Sequence, residues 1–333
     1  MSILGRVGGL VALELKAYRQ KREPRSLERP LPQGGAKMAL EEDGVSSNRF
    51  IEKELDKKLS TLGKRFDSDI LVLIAPMRPP IDELVRDSVE GVENRKDSLT
   101  VMLETEGGSI EVVERIADVF RYHYSKEINF IIPNYAMSAG TILAMSGDNI
   151  LMDYFSVLGP IDPQVRRPSM GDRFVPALGY LAKYDELIKK SASGKLTAAE
   201  IAFLVEKFDP AELHQFEQAR ELSVELLKRW LVQYKFKNWE KTRTTCKVVT
   251  QKMKEDRASK IARLLNDTKK WKSHGRGLSK EVLDKELNLI IEDFGADLEL
   301  RACVRAYYRL LQDFMARVRQ SIVVHAPGRY LGL

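Results

Sequence analysis

Two short turns contain the residues whose types and spacing could do chemistry. One is Gly107–Gly108, where consecutive glycines permit positive φ and let a ligand approach backbone N–H groups closely. The other surrounds Ser138 in the sequence Met-Ser-Ala-Gly-Thr, where the serine stands at the positive end of a predicted helix. Taken singly, the glycines fit a tight turn and the serine fits a helix N-cap. Neither turn alone indicates a catalytic site.

The separation of the two turns makes the pair more specific. Gly108 and Ser138 lie 30 residues apart, which is the length of one βα unit. The carboxyl ends of neighbouring parallel strands share one edge of a sheet, and ligands bind at that edge. The pair therefore predicts a nucleophile at Ser138 and an oxyanion hole made by the N–H groups of Gly108 and Ala139, with Gly107 binding substrate.

The elements that must position these turns follow from the apolar pattern. Short, almost wholly apolar runs are typical of strands covered on both faces in a parallel sheet, and they occur at 69–75, 98–103, 128–133 and 149–152. Helical spacing alternates with them over 48–62, 81–89, 110–124 and 139–145. This alternation predicts an α/β fold of stacked βαβ units with a mostly parallel sheet. Helix-forming sequence follows over 196–208, 210–236 and 279–320, the last as a helical pair.

The stretch from Leu103 to Val165 resembles the Clp-fold serine peptidases, and most of all the serine dehydrogenase proteinases, relatives of signal peptide peptidase A. The matching pieces are Glu104–Ser109, Pro133–Thr141 and Val157–Gln164. The resemblance implies a Clp/crotonase-like fold and serine endopeptidase activity on a protein or peptide substrate. It also implies a homo-oligomer.

The resemblance divides the chain into three regions. Residues 1–48 form a basic, Pro- and Gly-rich segment that we expect to be flexible. Residues 49–195 form the Clp/crotonase-like catalytic core. Residues 196–333 form a helical region that we expect to complete the fold and to mediate oligomerisation.

The sequence identifies the general base less clearly than the nucleophile. The related Clp proteases have a histidine downstream of the nucleophile, but Gly159–Gln164 contains none. Signal peptide peptidases use a Ser-Lys dyad, and Lys183, 45 residues beyond Ser138, is the predicted base. A lysine serves as base only where burial or nearby charge lowers its pKa. The alternative to catalysis is an ordinary surface lysine, and the other candidate bases are Lys189, Lys190 and Lys195.

Four further features have more than one interpretation. Asp162 stands between prolines and could orient a catalytic group, although fixing a turn is the stronger interpretation. Glu106 replaces a proline found in many relatives, which bears on how the substrate strand docks. His274 fits a helix cap or a packing role better than catalysis. The basic, aromatic-containing segment Lys228–Lys272 could bind nucleic acid, but acidic residues interrupt it and favour a solvated helix face.

Composition limits the remaining function classes. The two cysteines, Cys246 and Cys303, form no disulfide or zinc-ligand pattern and fit a reducing cytoplasm. We expect no metal or nucleotide cofactor, because there is neither a ligand cluster nor a phosphate-binding loop. The apolar run Ile3–Leu15 is interrupted by charge and is too short to span a bilayer. Peripheral membrane contact through an interfacial helix there is an alternative to a solvated segment.

Two other functions compete with the peptidase. A catalytically inactive scaffold or binding protein would use Ser138 only to begin a helix, and its basic helices would engage an acidic protein or nucleic acid. A crotonase-like enzyme would use the oxyanion hole on acyl thioesters. The serine at position 138 argues against that chemistry, which needs no nucleophile there.

Overall fold

A computed structural model describes residues 46–333, with gaps at 163, 168–172 and 274. Residues 1–45, which make up most of the predicted N-terminal segment 1–48, lie outside the described residues. The alternative of an interfacial helix in that segment therefore also lies outside them, and so does His274. The described residues belong to one compact unit.

The helices account for most of the chain beyond the sheet. They are α1 Ser47–Phe66, α2 Ile81–Glu90, α3 Ile110–His123, α4 Ala139–Met145, α5 Ala177–Ala192, α6 Ala198–Lys207, α7 Pro210–Trp230, α8 Gln251–Leu265, α9 Thr268–Trp271, α10 Lys280–Leu287 and α11 Leu298–Val318. A π-helical turn, Leu231–Lys235, continues α7.

The strands form one large sheet and two small ones. They are β1 Asp69–Ile74, β2 Ser98–Glu104, β3 Glu127–Ile132, β4 Tyr135–Ala136, β5 Asn149–Met152, β6 Val157–Leu158, β7 Gln164–Arg167, β8 Arg173–Pro176, β9 Leu278–Ser279, β10 Glu292–Asp293, β11 Val323–Ala326 and β12 Arg329–Gly332. The large sheet has the order β10-β5-β3-β2-β1-β11-β12.

The centre of the large sheet is parallel, as predicted. Strands β1, β2, β3 and β5 pair in parallel with one another in that spatial order, and a helix connects each to the next. Every residue of β1 and β2 is buried, which is why their sequences show no alternation of polar and apolar residues. The predicted α/β fold of stacked βαβ units is therefore confirmed.

Helices cover both faces of the sheet. Alternate strand residues such as Val101 and Leu103 pack against α2, α3 and α4 on one face. Their neighbours, such as Met102, pack against α1 and α11 on the other face. The C-terminal region is thus part of the same core as the predicted catalytic segment, and β11 extends the sheet by pairing antiparallel with β1.

The sequence pattern predicted the central elements more closely than the peripheral ones. Helix α4 and strand β5 have the predicted bounds, and α1 runs four residues beyond the predicted end, to Phe66, before Asp67 caps it in a left-handed conformation. The C-terminal hairpin β11–β12 was not predicted. Its two strands have only four residues each, too few for an alternation to be distinguished from a loop.

Candidate active site

Ser138 occupies a backbone conformation that L-residues rarely adopt. It stands immediately before α4 with φ 52° and ψ −117°, a region that costs about 1–3 kcal/mol for a residue with a side chain. Its side chain caps no amide of α4, and the residue is fully buried. Helix capping by the hydroxyl therefore does not explain a serine at this position.

Small residues around Ser138 let the chain make this turn. A Cβ on Gly140 would lie 2.2 Å from Cγ2 of Thr105, and a Cβ on Gly159 would lie 3.0 Å from the nitrogen of Ser138. Both distances are too short for an ordinary contact. The segment after β2 and the loop after β6 can thus approach the turn only because these two positions lack side chains.

The fold brings the two predicted turns together. The amide of Thr105 donates to the carbonyl of Tyr135 at 3.2 Å, and the amide of Met137 donates to the carbonyl of Thr105 at 2.9 Å. These bonds continue the pairing of neighbouring strands beyond β2. A Cβ on Gly107 would lie 2.9 Å from Cβ of Ser138 and 3.2 Å from the nitrogen of Ala139, so the glycine turn lies directly against the serine turn.

The backbone N–H and C=O groups of Gly108 point away from the neighbouring segment at Met77. Met77 forms a parallel bridge with it by donating to the carbonyl of Gly107 at 2.9 Å and accepting from the amide of Ser109 at 2.8 Å. In such a bridge, the N–H and C=O of Gly108 itself point to the opposite side. Among the described residues, neither the Gly108 amide nor the Ala139 amide donates a backbone hydrogen bond. Both N–H groups can therefore serve an oxyanion.

Asp162 holds both the serine and the next helix. Its main-chain carbonyl accepts a hydrogen bond from the Ser138 hydroxyl at 2.7 Å. Its carboxylate accepts from the amide of Leu178, near the start of α5, at 2.9 Å. The side chain thus fixes the start of a helix, and the contact with the Ser138 hydroxyl is made by the backbone.

Thr141 is a site residue that the sequence analysis missed. Its Oγ1 lies 2.9 Å from the carbonyl oxygens of Ala136 and Gly159 and accepts from the amide of Gly159 at 3.0 Å. It thereby connects the serine turn to the loop that follows β6. The only sequence signal for Thr141 was its position directly after Ala-Gly. The burial of its hydroxyl cannot be predicted from one threonine in a sequence.

Lys183 does not contact Ser138 in this structure. Its side chain is about half exposed, and its Nζ lies 3.2 Å from both carboxylate oxygens of Glu186. The buried residues Leu178 and Leu181 occupy other positions around α5. Across the described part of the chain, no lysine or histidine side chain hydrogen-bonds to the Ser138 hydroxyl.

The other candidate bases also face solvent. Lys189 and Lys195 are exposed. Lys190 forms ion pairs with Glu200 at 2.8 Å and Glu186 at 3.3 Å. The bond with Glu200 raises the pKa of Lys190, which is opposite to what a general base requires.

The aromatic residues of the basic segment are largely part of the core. Trp230, Phe236 and Trp271 are buried, so their rings cannot stack on nucleic-acid bases. Lys237 pairs with the buried carboxylate of Asp148 at 2.6 Å. An open groove of about 950 Å³ lies between α7 and α8, and its lining does not include Ser138.

Glu106 is exposed beside the glycine turn. Among the residues that the structure describes, no helix is long and apolar enough to cross a membrane. Within the same residues, no three His, Cys, Asp or Glu side chains are grouped closely enough to hold a metal ion.

Comparison with known proteins finds a family match for the region that contains both turns. Residues 91–241 match the ClpP-like SDH-type serine proteinases. The matched region includes both turns, Asp162 and Lys183, and it confirms the resemblance to the serine dehydrogenase proteinases. A match to this family supports a serine protease.

Two curated relatives of the chain are uncharacterized proteins of Methanocaldococcus jannaschii, MJ0137 and MJ1495. Each is 40% identical over 67 residues, which is 20% of this chain and 23% of the relative. The chain thus matches less than a quarter of the length of these relatives.

Solved structures with a similar fold include ClpP1 from Listeria monocytogenes. The likeness covers 73% of this chain and 95% of ClpP1, with 12% sequence identity and a TM-score of 0.37. A lysine-to-alanine mutant of the 1510-N membrane-bound stomatin-specific protease, in complex with a substrate peptide, has 14% identity and a TM-score of 0.38 over 68% of this chain and 74% of that one. These values describe a distant likeness in fold and say nothing about activity.

Proposed function

We propose that this chain is a serine endopeptidase with Ser138 as its nucleophile. The observation that carries the proposal is the strained conformation of Ser138 directly against the glycine turn. Within the described part of the chain, the amides of Gly108 and Ala139 donate no backbone hydrogen bond. A buried serine that caps no helix and costs backbone energy needs a function to account for it. The match of residues 91–241 to a family of serine proteinases supports the same conclusion.

The proposed reaction is acyl transfer in two steps. The Ser138 oxygen attacks the scissile carbonyl while a general base takes the hydroxyl proton, and the amides of Gly108 and Ala139 stabilise the resulting oxyanion. The C–N bond then breaks, and the base returns the proton to the leaving amine. Water, activated by the same base, cleaves the acyl ester and restores the serine.

The substrate is proposed to bind as an extended strand beside Gly107–Gly108. Met77 already occupies one side of this turn, which leaves the N–H and C=O of Gly108 for a chain on the other side. Main-chain hydrogen bonds of this kind give affinity with little sequence selectivity. We therefore expect cleavage of unstructured protein segments.

Lys183 is the proposed general base, and it must move to act. Helix α5 begins at the residues held by Asp162, and Lys183 lies five residues beyond Leu178, about 7.5 Å along the helix axis. Its present partner is Glu186. A rotation of α5 that buries Lys183 near Ser138 would also favour its neutral form, because burial disfavours the charged ammonium.

The remaining parts of the proposal concern assembly and location. We propose a homo-oligomer formed through the helical region 196–333, with the catalytic core in 49–195. A cytoplasmic location follows from the two free cysteines, Cys246 and Cys303. The segment 1–48 provides a tether or a peripheral membrane contact.

One observation favours the alternative of an inactive binding protein. The Ser138 hydroxyl is buried and already donates to the carbonyl of Asp162, and no lysine or histidine side chain among the described residues hydrogen-bonds to it. If this arrangement is permanent, the fold acts as a scaffold.

Proteolysis of an unfolded protein distinguishes the two functions. The full chain and its Ser138→Ala variant are incubated with a reduced, carboxymethylated protein, and new N-termini are identified by mass spectrometry. The peptidase proposal predicts new termini only with the wild-type chain. Equal cleavage by both chains, or none by either, supports the scaffold.

A further inference from the structure

Helix α11 contacts the strand ends that carry the two turns. Arg305, Tyr308 and Gln312 lie at spacings of three and four residues, which places them on one face of the helix. Arg305 donates to the carboxylate of Asp153, after β5, at 2.7 Å. Tyr308 and Gln312 both donate to Glu104, the last residue of β2.

The hydroxyl of Tyr308 joins two strand ends. It donates to one carboxylate oxygen of Glu104 and accepts from the side-chain amide of Asn134 at 3.3 Å. Glu104 is buried, and burial raises the pKa of its carboxyl group while the bond from Tyr308 opposes that rise. Burial, with the bond to Glu104, also raises the pKa of Tyr308. The hydroxyl therefore stays protonated as a donor near neutral pH.

The two bonded residues stand at the starts of the two turns. Glu104 is followed by Thr105 and the glycines, and Asn134 is followed by Tyr135 and the segment that leads to Ser138. Met102 faces α1 and α11, and Glu104 lies two residues further along the same strand, so its side chain points to the same face of the sheet. The Tyr308 hydroxyl thus bridges the two turns on that face. The main-chain bond from Thr105 to Tyr135 connects the same strand ends at the backbone.

We propose that Tyr308 is a positioning residue that sets the separation of the oxyanion turn and the nucleophile turn. The inference rests on the proposed serine peptidase function. The hydroxyl contacts no reacting atom; it acts through Glu104 and Asn134. Catalysis is sensitive to such separations, because oxyanion donors stabilise charge only within hydrogen-bond distance of it.

The adjacent tyrosine provides a matched control. Tyr307 is also a tyrosine of α11 with a buried hydroxyl, but its hydroxyl lies 2.6 Å from Nδ1 of His325 in β11, away from the two turns. Tyr308→Phe and Tyr307→Phe each remove one hydroxyl and leave the ring. We expect both to lower the melting temperature by about 2–4 °C.

Two measurements separate positioning from stability. The first is hydrogen–deuterium exchange of peptides covering 104–109 and 134–140. The second is inactivation by a fluorophosphonate at varied probe concentration. For Tyr308→Phe we expect faster exchange in both peptides and about a tenfold lower maximal inactivation rate, with the half-saturating probe concentration unchanged. For Tyr307→Phe we expect wild-type exchange in these peptides and a wild-type rate.

The outcomes distinguish this proposal from the peptidase proposal. Wild-type exchange in both peptides of Tyr308→Phe overturns the positioning role, whatever the activity. Equal loss of inactivation rate in the two tyrosine variants also overturns it. If the wild-type chain shows no Ser138-dependent inactivation, the peptidase proposal fails, and the exchange measurement still decides whether Tyr308 couples the turns.

Discussion

The hydroxyl of Ser138 and the main-chain carbonyl of Asp162 are joined by a hydrogen bond of 2.7 Å. The same aspartate holds the amide of Leu178 at the start of α5, and α5 carries Lys183. A displacement of Asp162 that frees the nucleophile would therefore also release the start of the helix that carries the proposed base.

The identity of the base can be tested with two lysines of α5. Lys183→Ala should lower the rate of Ser138-dependent inactivation by a fluorophosphonate at least tenfold, because general-base catalysis typically contributes about 10²–10⁴-fold. Lys189→Ala, on the same helix and exposed, should leave the rate within about twofold, since surface substitutions away from a site are usually small in effect. Wild-type reactivity of Lys183→Ala would assign the base elsewhere.

The close approach of helix α4 at Gly140 to Thr105, directly after β2, can be tested by a paired substitution. Gly140→Ala places a methyl group 2.2 Å from Cγ2 of Thr105, and overpacking of this kind costs about 1–3 kcal/mol. The variant should unfold at lower urea concentration and lose reactivity at Ser138.

Thr105→Ser added to Gly140→Ala removes Cγ2 and keeps the hydroxyl that accepts from the amide of Gly107. The double variant should regain most of the lost stability and reactivity. A double variant as unstable as Gly140→Ala alone would show that the collision with Thr105 is not the cause.

The parts of the fold that depend on local pattern could be predicted from the sequence. The buried parallel strands were recognisable because both of their faces are covered, as at Val101 and Met102. The meeting of the Gly107 and Ser138 turns was also predictable, because parallel strands end at a common edge. Helix propensity and small residues together placed the start of α4.

Contacts between distant segments could not be predicted in the same way. The bond between Tyr308 and Glu104 joins residues 204 positions apart, and nothing in the local sequence of α11 indicates its partner. The orientation of Lys183 likewise depends on which face of α5 packs inward. The Ser138 hydroxyl donates to the main-chain carbonyl of Asp162. Any residue type could supply that carbonyl, so the sequence does not indicate this partner.

A hydrogen bond between α1 and the C-terminal hairpin should make stability depend on acidic pH. The carboxylate of Asp56 lies 2.9 Å from Nε2 of His325, and this hydrogen bond holds the pKa of Asp56 below its usual value of about 3.9. A depressed carboxyl pKa contributes stability above the unfolded value, and that contribution is lost as pH falls through the folded value. The free energy of unfolding should therefore drop as the pH falls below about 4.

Urea unfolding of Asp56→Asn and His325→Gln checks this origin. Each variant should show a smaller loss of stability over the same pH interval than the wild-type chain, because each removes one member of the pair. A loss as large in both variants as in the wild type would assign the acid sensitivity to other carboxylates.

Lys235 should make stability depend on alkaline pH. It lies in the π-helical turn with its Nζ 3.3 Å from the carbonyl oxygen of Asp148, and burial lowers its pKa to about 8. The unfolded lysine titrates near 10.4, so between about pH 8 and 10.4 the unfolded chain binds a proton that the folded chain has released. Stability from this group therefore rises with pH across that interval.

Replacement of this lysine by methionine removes the cost of burying the charge. Lys235→Met should be more stable than the wild-type chain at pH 7 by about 3 kcal/mol, and the difference should shrink as pH approaches 10. Urea unfolding at pH 7, 9 and 10 measures it. If the difference in the free energy of unfolding stays constant with pH, it arises from packing and not from ionisation of Lys235.

The central claim is that Ser138 is a nucleophile. The full chain is treated with a fluorophosphonate probe, digested, and the modified residue is located by tandem mass spectrometry, with Ser138→Ala as the matched control. The peptidase proposal predicts a phosphonyl adduct on Ser138 in the wild-type chain and no adduct on residues 134–140 of the variant. An unmodified Ser138 under conditions that label a known serine peptidase, or equal labelling of both chains, would contradict it.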